Sequence, residues 1–263
     1  MDAQEHYRAG RLKEAVEAAS EAVRKSPADS DRRGLLAEFL LLAGNLDRAD
    51  LQLDAMTKSD AQSAPHVAAL RQLVRAEQAR RQVFAEGRVP EFAGLPTDAM
   101  KERLRATVLL RSGQVDEASK ALAAAEAARK PVHGTCDGAA FDDLRDLDDV
   151  TADFFEVLTT TGKYFWIPFD RVISVEFRAP KRPRDTLWRK AAMSVKDGPE
   201  GEVYLPAVYV DVDGKSDDGA RLARTTDWLG GDGKPVRGVG QRTLLVGETA
   251  RPILDIREIR IES

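Results

Sequence analysis

Two patterns of apolar residues divide the chain. Up to about residue 130 they recur at helical spacing, and beyond it short runs alternate with the period of two that marks strands. The change is sharpest at residues 154–169, FFEVLTTTGKYFWIPF, where two runs dense in aromatic and β-branched residues flank Thr161-Gly162. Such runs around a glycine-containing break predict a β-hairpin. Phe155 and Val157 fall on one face of its first strand, Phe154 and Leu158 on the other. Tyr164 and Trp166 share one face of the second strand, Phe165 and Ile167 the other. A strand that is apolar on both faces needs both faces covered.

The helical half repeats itself. Tyr7-x-x-Gly10-x-Leu12-x-x-Ala15 returns as Leu41-x-x-Gly44-x-Leu46-x-x-Ala49, an offset of 34 at all four positions, which is the period of a tetratricopeptide repeat. A third copy, Leu110-x-x-Gly113-x-Val115-x-x-Ala118, lies 69 residues further on. The glycine suits the turn between two antiparallel helices, and the small alanine lets the second helix approach the first. Pro27 ends the second helix of the first copy. Midway the pattern fails: Gln78 holds the place of the next turn glycine, and no break appears between Pro65 and Gly87. One long helix is expected there, so the array is degenerate. Its basic stripe, Arg71, Arg75, Arg80 and Arg81, reads as a solvated face. After a turn-rich connector, Thr97 is placed to cap the next helix. Arrays of this kind build concave surfaces that hold peptides or helices, so a binding role is preferred over a scaffold that only docks on the second half.

In the second half, candidate strands at 191–195, 202–209, 241–246 and 253–261 follow the hairpin, separated by turn signals. They suit a compact sheet or a partly closed barrel. The fold expected is α+β: a degenerate tetratricopeptide-like α-helical array over residues 1–130, followed by a strand-rich α+β domain over residues 131–263.

Chemistry is sparse. Asp142, Asp143, Asp146, Asp148, Asp149 and Asp153 crowd one segment, but their spacing lacks the central glycine and closing glutamate of a calcium loop; a solvated acidic face is the preferred reading. His133 and Cys136 are too few for a structural zinc site, and nothing places an activating base beside Cys136. GVGQRTLLVG is not followed by a helix and fails the context test for phosphate binding. No catalytic, metal or cofactor residues are expected. The stretch RAPKRPRDTLWRK sets Trp188 among Arg182, Arg184, Arg189 and Lys190. It could bind phosphate or single strands, or hold a loop by stacking and pairing its arginines; the structural role is preferred. VDVDGKSDDGARLARTTDW reads as a polar loop leading into Arg224 and Trp228.

A net charge of −4 weighs against non-specific nucleic-acid binding. No apolar run approaches the roughly 20 residues that span a bilayer, and the N-terminus lacks a signal-peptide pattern. Cys136 stands alone, so a reducing cytoplasm is the expected location.

Taken in order, VLTTTGKYFWIPFDRV, APKRPRDTLWRKA, DGPEGEVYLPAVY, RTTDW and VRGVGQRTLLVG strongly resemble the ImpE family, also called TagJ-like proteins, which are accessory components of bacterial type VI secretion. The resemblance covers essentially the whole chain, because that family also begins with a degenerate tetratricopeptide-like array. It implies a non-enzymatic cytoplasmic protein that binds the small subunit of the contractile sheath, through that subunit's N-terminal helix. It further implies a role in assisting or tuning sheath disassembly by the AAA+ ATPase ClpV. Trp166, Arg184, Trp188, Arg189, Tyr204, Pro206, Arg224, Asp227, Trp228, Gln241 and Arg242 match the family pattern and are candidates for structural or partner-binding roles. Trp188, Arg189, Arg224 and Asp227 are expected to form one buried polar–aromatic cluster, since desolvated polar groups need partners. The alternatives are a general peptide- or chaperone-binding tetratricopeptide module and, more distantly, a ligand-binding or enzymatic second half.

Overall fold

The computed structural model describes residues 1–59, 64–212 and 214–262; Asp213, inside the expected polar loop, lies outside the described residues. The helical half contains α1 (Ala3–Arg8), α2 (Leu12–Lys25), α3 (Ser30–Leu42), α4 (Leu46–Ser59), α5 (Ala64–Ala85), α6 (Asp98–Arg111) and α7 (Val115–Ala128). The repeat motif explains the pairing of these helices. Gly10, Gly44 and Gly113 sit in the left-handed region, with φ of +78°, +77° and +73°, where a side chain is disfavoured and the helix stops. The motif alanines Ala15, Ala49 and Ala118 are fully buried at the helix–helix contacts. Where the motif lacks its glycine the chain does not turn, and α5 runs on through Gln78 for 22 residues. Thr97 caps α6 by accepting a hydrogen bond from the Met100 amide at 3.1 Å.

From α5 the chain crosses to the sheet before returning to α6. On the way, β1 (Glu91–Phe92) pairs in parallel with β6 (Tyr164–Pro168), fastened by Arg171 donating to the Ala93 and Leu95 carbonyls. Among the described residues the main sheet has nine strands. Its other members are β2 (Gly134–Cys136), β3 (Ala139–Phe141), β5 (Phe154–Leu158), β7 (Val172–Phe177), β8 (Trp188–Val195), β9 (Glu200–Pro206) and β14 (Glu258–Ile261), in the order β1-β6-β5-β9-β8-β7-β14-β2-β3. Every pairing except β1 with β6 is antiparallel. β1 and β3 end the order without pairing each other, so the sheet is open and the partly closed barrel does not form. A three-stranded sheet of β4 (Leu144–Asp146), β12 (Thr243–Val246) and β13 (Thr249–Pro252) makes a second layer, and β10 (Thr226–Gly231) with β11 (Lys234–Gly240) forms a separate ribbon. The short helix α8 (Asp218–Arg221) interrupts the polar loop. The last expected strand starts late: Ile253–Asp255 is a 3-10 turn, and pairing begins only at Glu258.

The hairpin β5–β6 is the wall between two cores. Phe154, Leu158, Tyr164 and Trp166 join the core built by α1 to α7, while Phe155, Val157 and Ile167 share the other core with Leu144, Leu244, Ile253 and Ile256 beneath the small sheet. Trp166 stacks on Phe154 at 4.1 Å and meets Phe92 and Phe84 at 6.4 and 6.5 Å. Helices α1, α2, α3 and α5 all meet the second half. The Arg224 guanidinium lies over Tyr7, the Asp218 carboxylate accepts from the Leu12 amide, and Glu38 pairs with Arg184. No helix among the described residues is long and apolar enough to cross a membrane.

Candidate functional site

The densest polar constellation lies where α5 meets the sheet. Alternation along β5 turns Glu156 to the helix side, between Phe154 and Leu158, and 3.6-residue spacing along α5 turns Glu77 and Arg80 to meet it. Arg80 donates to both oxygens of Glu156, at 2.9 and 3.0 Å, and to the Val208 carbonyl at 3.0 Å. Arg242 also pairs with Glu156, and with Asp146 of β4. Tyr164 donates its hydroxyl to Glu156 and accepts from the Trp166 indole at 2.6 Å. The Trp188 indole donates to Glu77 at 3.1 Å, and Tyr209 donates to Asp146 at 2.7 Å. With Arg81 on Glu77, the cluster sets three cations, Arg80, Arg81 and Arg242, against three carboxylates, Glu77, Glu156 and Asp146.

Burial would raise the Glu156 carboxyl, but Arg80 and Arg242, with their hydrogen bonds, reverse this and hold it at about 2. Burial pushes the Tyr164 hydroxyl far above its ordinary range, aided by the adjacent Glu156 charge. A carboxylate clasped by two guanidiniums and a hydroxyl is a strong tie. Truncating one member of such a pair strands the other in low dielectric, so the cluster clamps the helices to the sheet.

The residues singled out in the sequence distribute over several places. Trp166, Trp188 and Arg242 belong to the junction. Arg189 is buried elsewhere, over the Phe177 ring at 4.7 Å, donating to the Ile253 and Arg178 carbonyls, and burial lowers its pKa to about 10. Arg184 reaches Glu38 at 2.8 Å and His66 at 3.2 Å. Tyr204 is half-buried on β9, across from Leu158 and Lys190. Gln241 bridges Val208 and accepts from the Thr226 hydroxyl at its carbonyl. Arg224 is exposed and donates to the Tyr7 and Arg8 carbonyls. Asp227 is exposed and accepts from the Trp228 amide at 2.8 Å. Trp228, 38% exposed, leans edge-on to Tyr209. The structure therefore does not gather Trp188, Arg189, Arg224 and Asp227: the first two are buried on opposite faces of β8, and the last two are solvent-exposed.

Two further expectations change. The arginines of α5 are not a solvated stripe, because Arg80 is buried and Arg71 pairs with Asp50 and Asp54. Nor is the aspartate run a solvated face. Asp146, Asp148 and Asp153 are buried on Arg242, Arg237 and Arg103, and among the described residues no group of three or more His, Cys, Asp or Glu side chains could hold a metal ion. The residues that the sequence reading passed over are Glu77, Glu156 and Glu38. The last two carried a signal: each is a lone acid in an apolar run, FFEVL and LLAEFLLL, where a charge must find a partner.

The family model described as ImpE protein matches residues 138–260, and a tetratricopeptide-repeat model matches residues 6–74. The chain is 34% identical to the type VI secretion system accessory component TagJ of Pseudomonas aeruginosa, over 100% of this chain and 92% of that protein. A crystal structure of a Vibrio parahaemolyticus protein superposes with a TM-score of 0.93 at 28% identity, covering 99% of this chain and 97% of that one.

Proposed function

The chain belongs to the ImpE family, and on that premise we propose that it is an accessory component of type VI secretion that acts by binding rather than by catalysis. The observation that carries this is the end-to-end match to TagJ. The finer reading is that it binds the small subunit of the contractile sheath in the cytoplasm, by that subunit's N-terminal helix. It thereby assists or tunes sheath disassembly by the AAA+ ATPase ClpV. The junction geometry supports an adaptor. In this reading residues 1–130 and 131–263 are two units, joined by the shared core and the Arg80–Glu156–Arg242 clamp. A rigid body holds its contact residues in place, which lowers the ordering cost of binding.

Calorimetric titration of the full chain with the N-terminal helical peptide of its own small sheath subunit tests the reading. Micromolar or tighter binding, about 8 kcal/mol or more, is the expected result. Absence of heat, together with failure of intact sheath to co-purify, would overturn it.

A further inference from the structure

Between residues 178 and 190 the chain places Arg178, Lys181, Arg182, Arg184, Arg189 and Lys190 against one acid, Asp185, although its overall net charge is −4. The structure sorts these cations into two sets. Arg189 turns into the core, and Arg184 is pinned between Glu38 of α3 and His66 of α5. Asp185 accepts from the backbone amides of Lys181 and Arg182 at 2.8 and 2.9 Å, and Pro180 and Pro183 stiffen the same turn. The loop is therefore built and anchored from within.

The second set faces water. Among the described residues no carboxylate lies within ion-pairing distance of the Arg178 or Lys181 side chains. Arg182 gives only its Nε to Glu38, at 2.7 Å, and its side chain stays 49% exposed. Lys190 is partly exposed beside Glu202. The nearby imidazole reports the local field. Burial first, then Arg184, Arg182 and Lys190, push the His66 pKa below its ordinary value, and no carboxylate is among the groups that move it.

We infer that the rim formed by Arg178, Lys181 and Arg182, the last of them near His66, docks an acidic segment of a protein partner. A loop whose backbone is already anchored needs no ordering on pairing, and its exposed cations steer an oppositely charged surface. Single-stranded nucleic acid fits less well. The tryptophan of this stretch, Trp188, is buried on Glu77 and offers no stacking face. A compact phosphate also fits less well, because Arg184, the most firmly oriented guanidinium fork, is already committed to Glu38. The inference goes beyond the sheath reading and does not depend on it.

Fluorescence anisotropy of a labelled glutamate-rich peptide, titrated with the full chain, tests this rim. Binding should weaken about tenfold or more between low and physiological salt. The double variant Arg178→Glu/Lys181→Glu should lose about tenfold in affinity with its thermal midpoint unchanged, since neither side chain holds an internal ion pair. Lys234→Glu, on the ribbon, should leave binding as it was. Absence of binding, or equal affinity in the double variant, overturns the inference. So does competition by inorganic phosphate or by a single-stranded oligonucleotide of equal charge that matches the unlabelled peptide. If the peptide binds while the sheath helix does not, only the sheath reading falls; the reverse result removes only this one.

Discussion

Arginine does opposite work in two regions of this chain. At the junction, Arg80 and Arg242 are almost free of solvent and both lie on Glu156. On the loop after β7, Arg178 and Lys181 carry the same charge with no carboxylate in reach among the described residues. The difference follows from burial. A desolvated cation without a counter-charge costs several kcal/mol, so each buried guanidinium of the junction has a carboxylate, although the Arg242 Nε–H has no acceptor. An exposed cation costs almost nothing unpaired, and it stays available to something outside. Saturated charge marks where this protein holds itself together, and unsaturated charge marks where it can hold something else.

The largest break in that contrast is Glu156→Ala, which leaves Arg80 and Arg242 facing each other without a carboxylate between them. It should cost about 3–5 kcal/mol in urea unfolding; a loss below about 1 kcal/mol would mean that water or another acid can replace the carboxylate. Acid should act on the same tie. The folded-state pKa of Glu156, about 2, lies below its ordinary 4.5, so its contribution is complete above pH 4.5 and is lost as pH falls toward 2. The loss attributable to this group is about 3 kcal/mol. It can be read as the difference between native and Glu156→Gln unfolding curves across that range, and parallel curves would refute the assignment. Trp188→Phe keeps most of the ring but leaves a Glu77 oxygen without its indole donor, which should cost about 1–3 kcal/mol. Thermal unfolding would show it, and a silent substitution would mean that Arg80 and Arg81 satisfy Glu77 alone. The smallest effect belongs to the loop. Arg178→Ala should shift stability by no more than about 0.5 kcal/mol, and a larger shift would mean that this side chain has an internal role.

Legibility in the sequence followed the range of each interaction. The repeat motif located Gly10, Gly44 and Gly113 in turns, and the missing glycine at Gln78 foretold the unbroken α5. Alternation divided the aromatics of residues 154–169 correctly between the two cores. Charges were another matter. Arg80 read as solvated because its helix is rich in arginine, and Asp146, Asp148 and Asp153 read as solvated because acids surround them. Each instead meets a partner supplied by a distant segment. Trp188 and Arg189, adjacent in sequence, were expected to stay together, yet strand alternation sends them to opposite faces.

The sequence by itself determined what depends on near neighbours: helix pairs from a 34-residue period, a hairpin buried on both faces, and the ordered motifs that identify the family. Only the tertiary structure decided that the sheet stays open and which charges are buried. Glu156 meets Arg80 across 76 residues and Arg242 across 86. Periodicity reports which way a side chain points along its own element. What it points at is settled by the packing of helices on the sheet, where each buried charge needs a counter-charge brought from elsewhere in the chain.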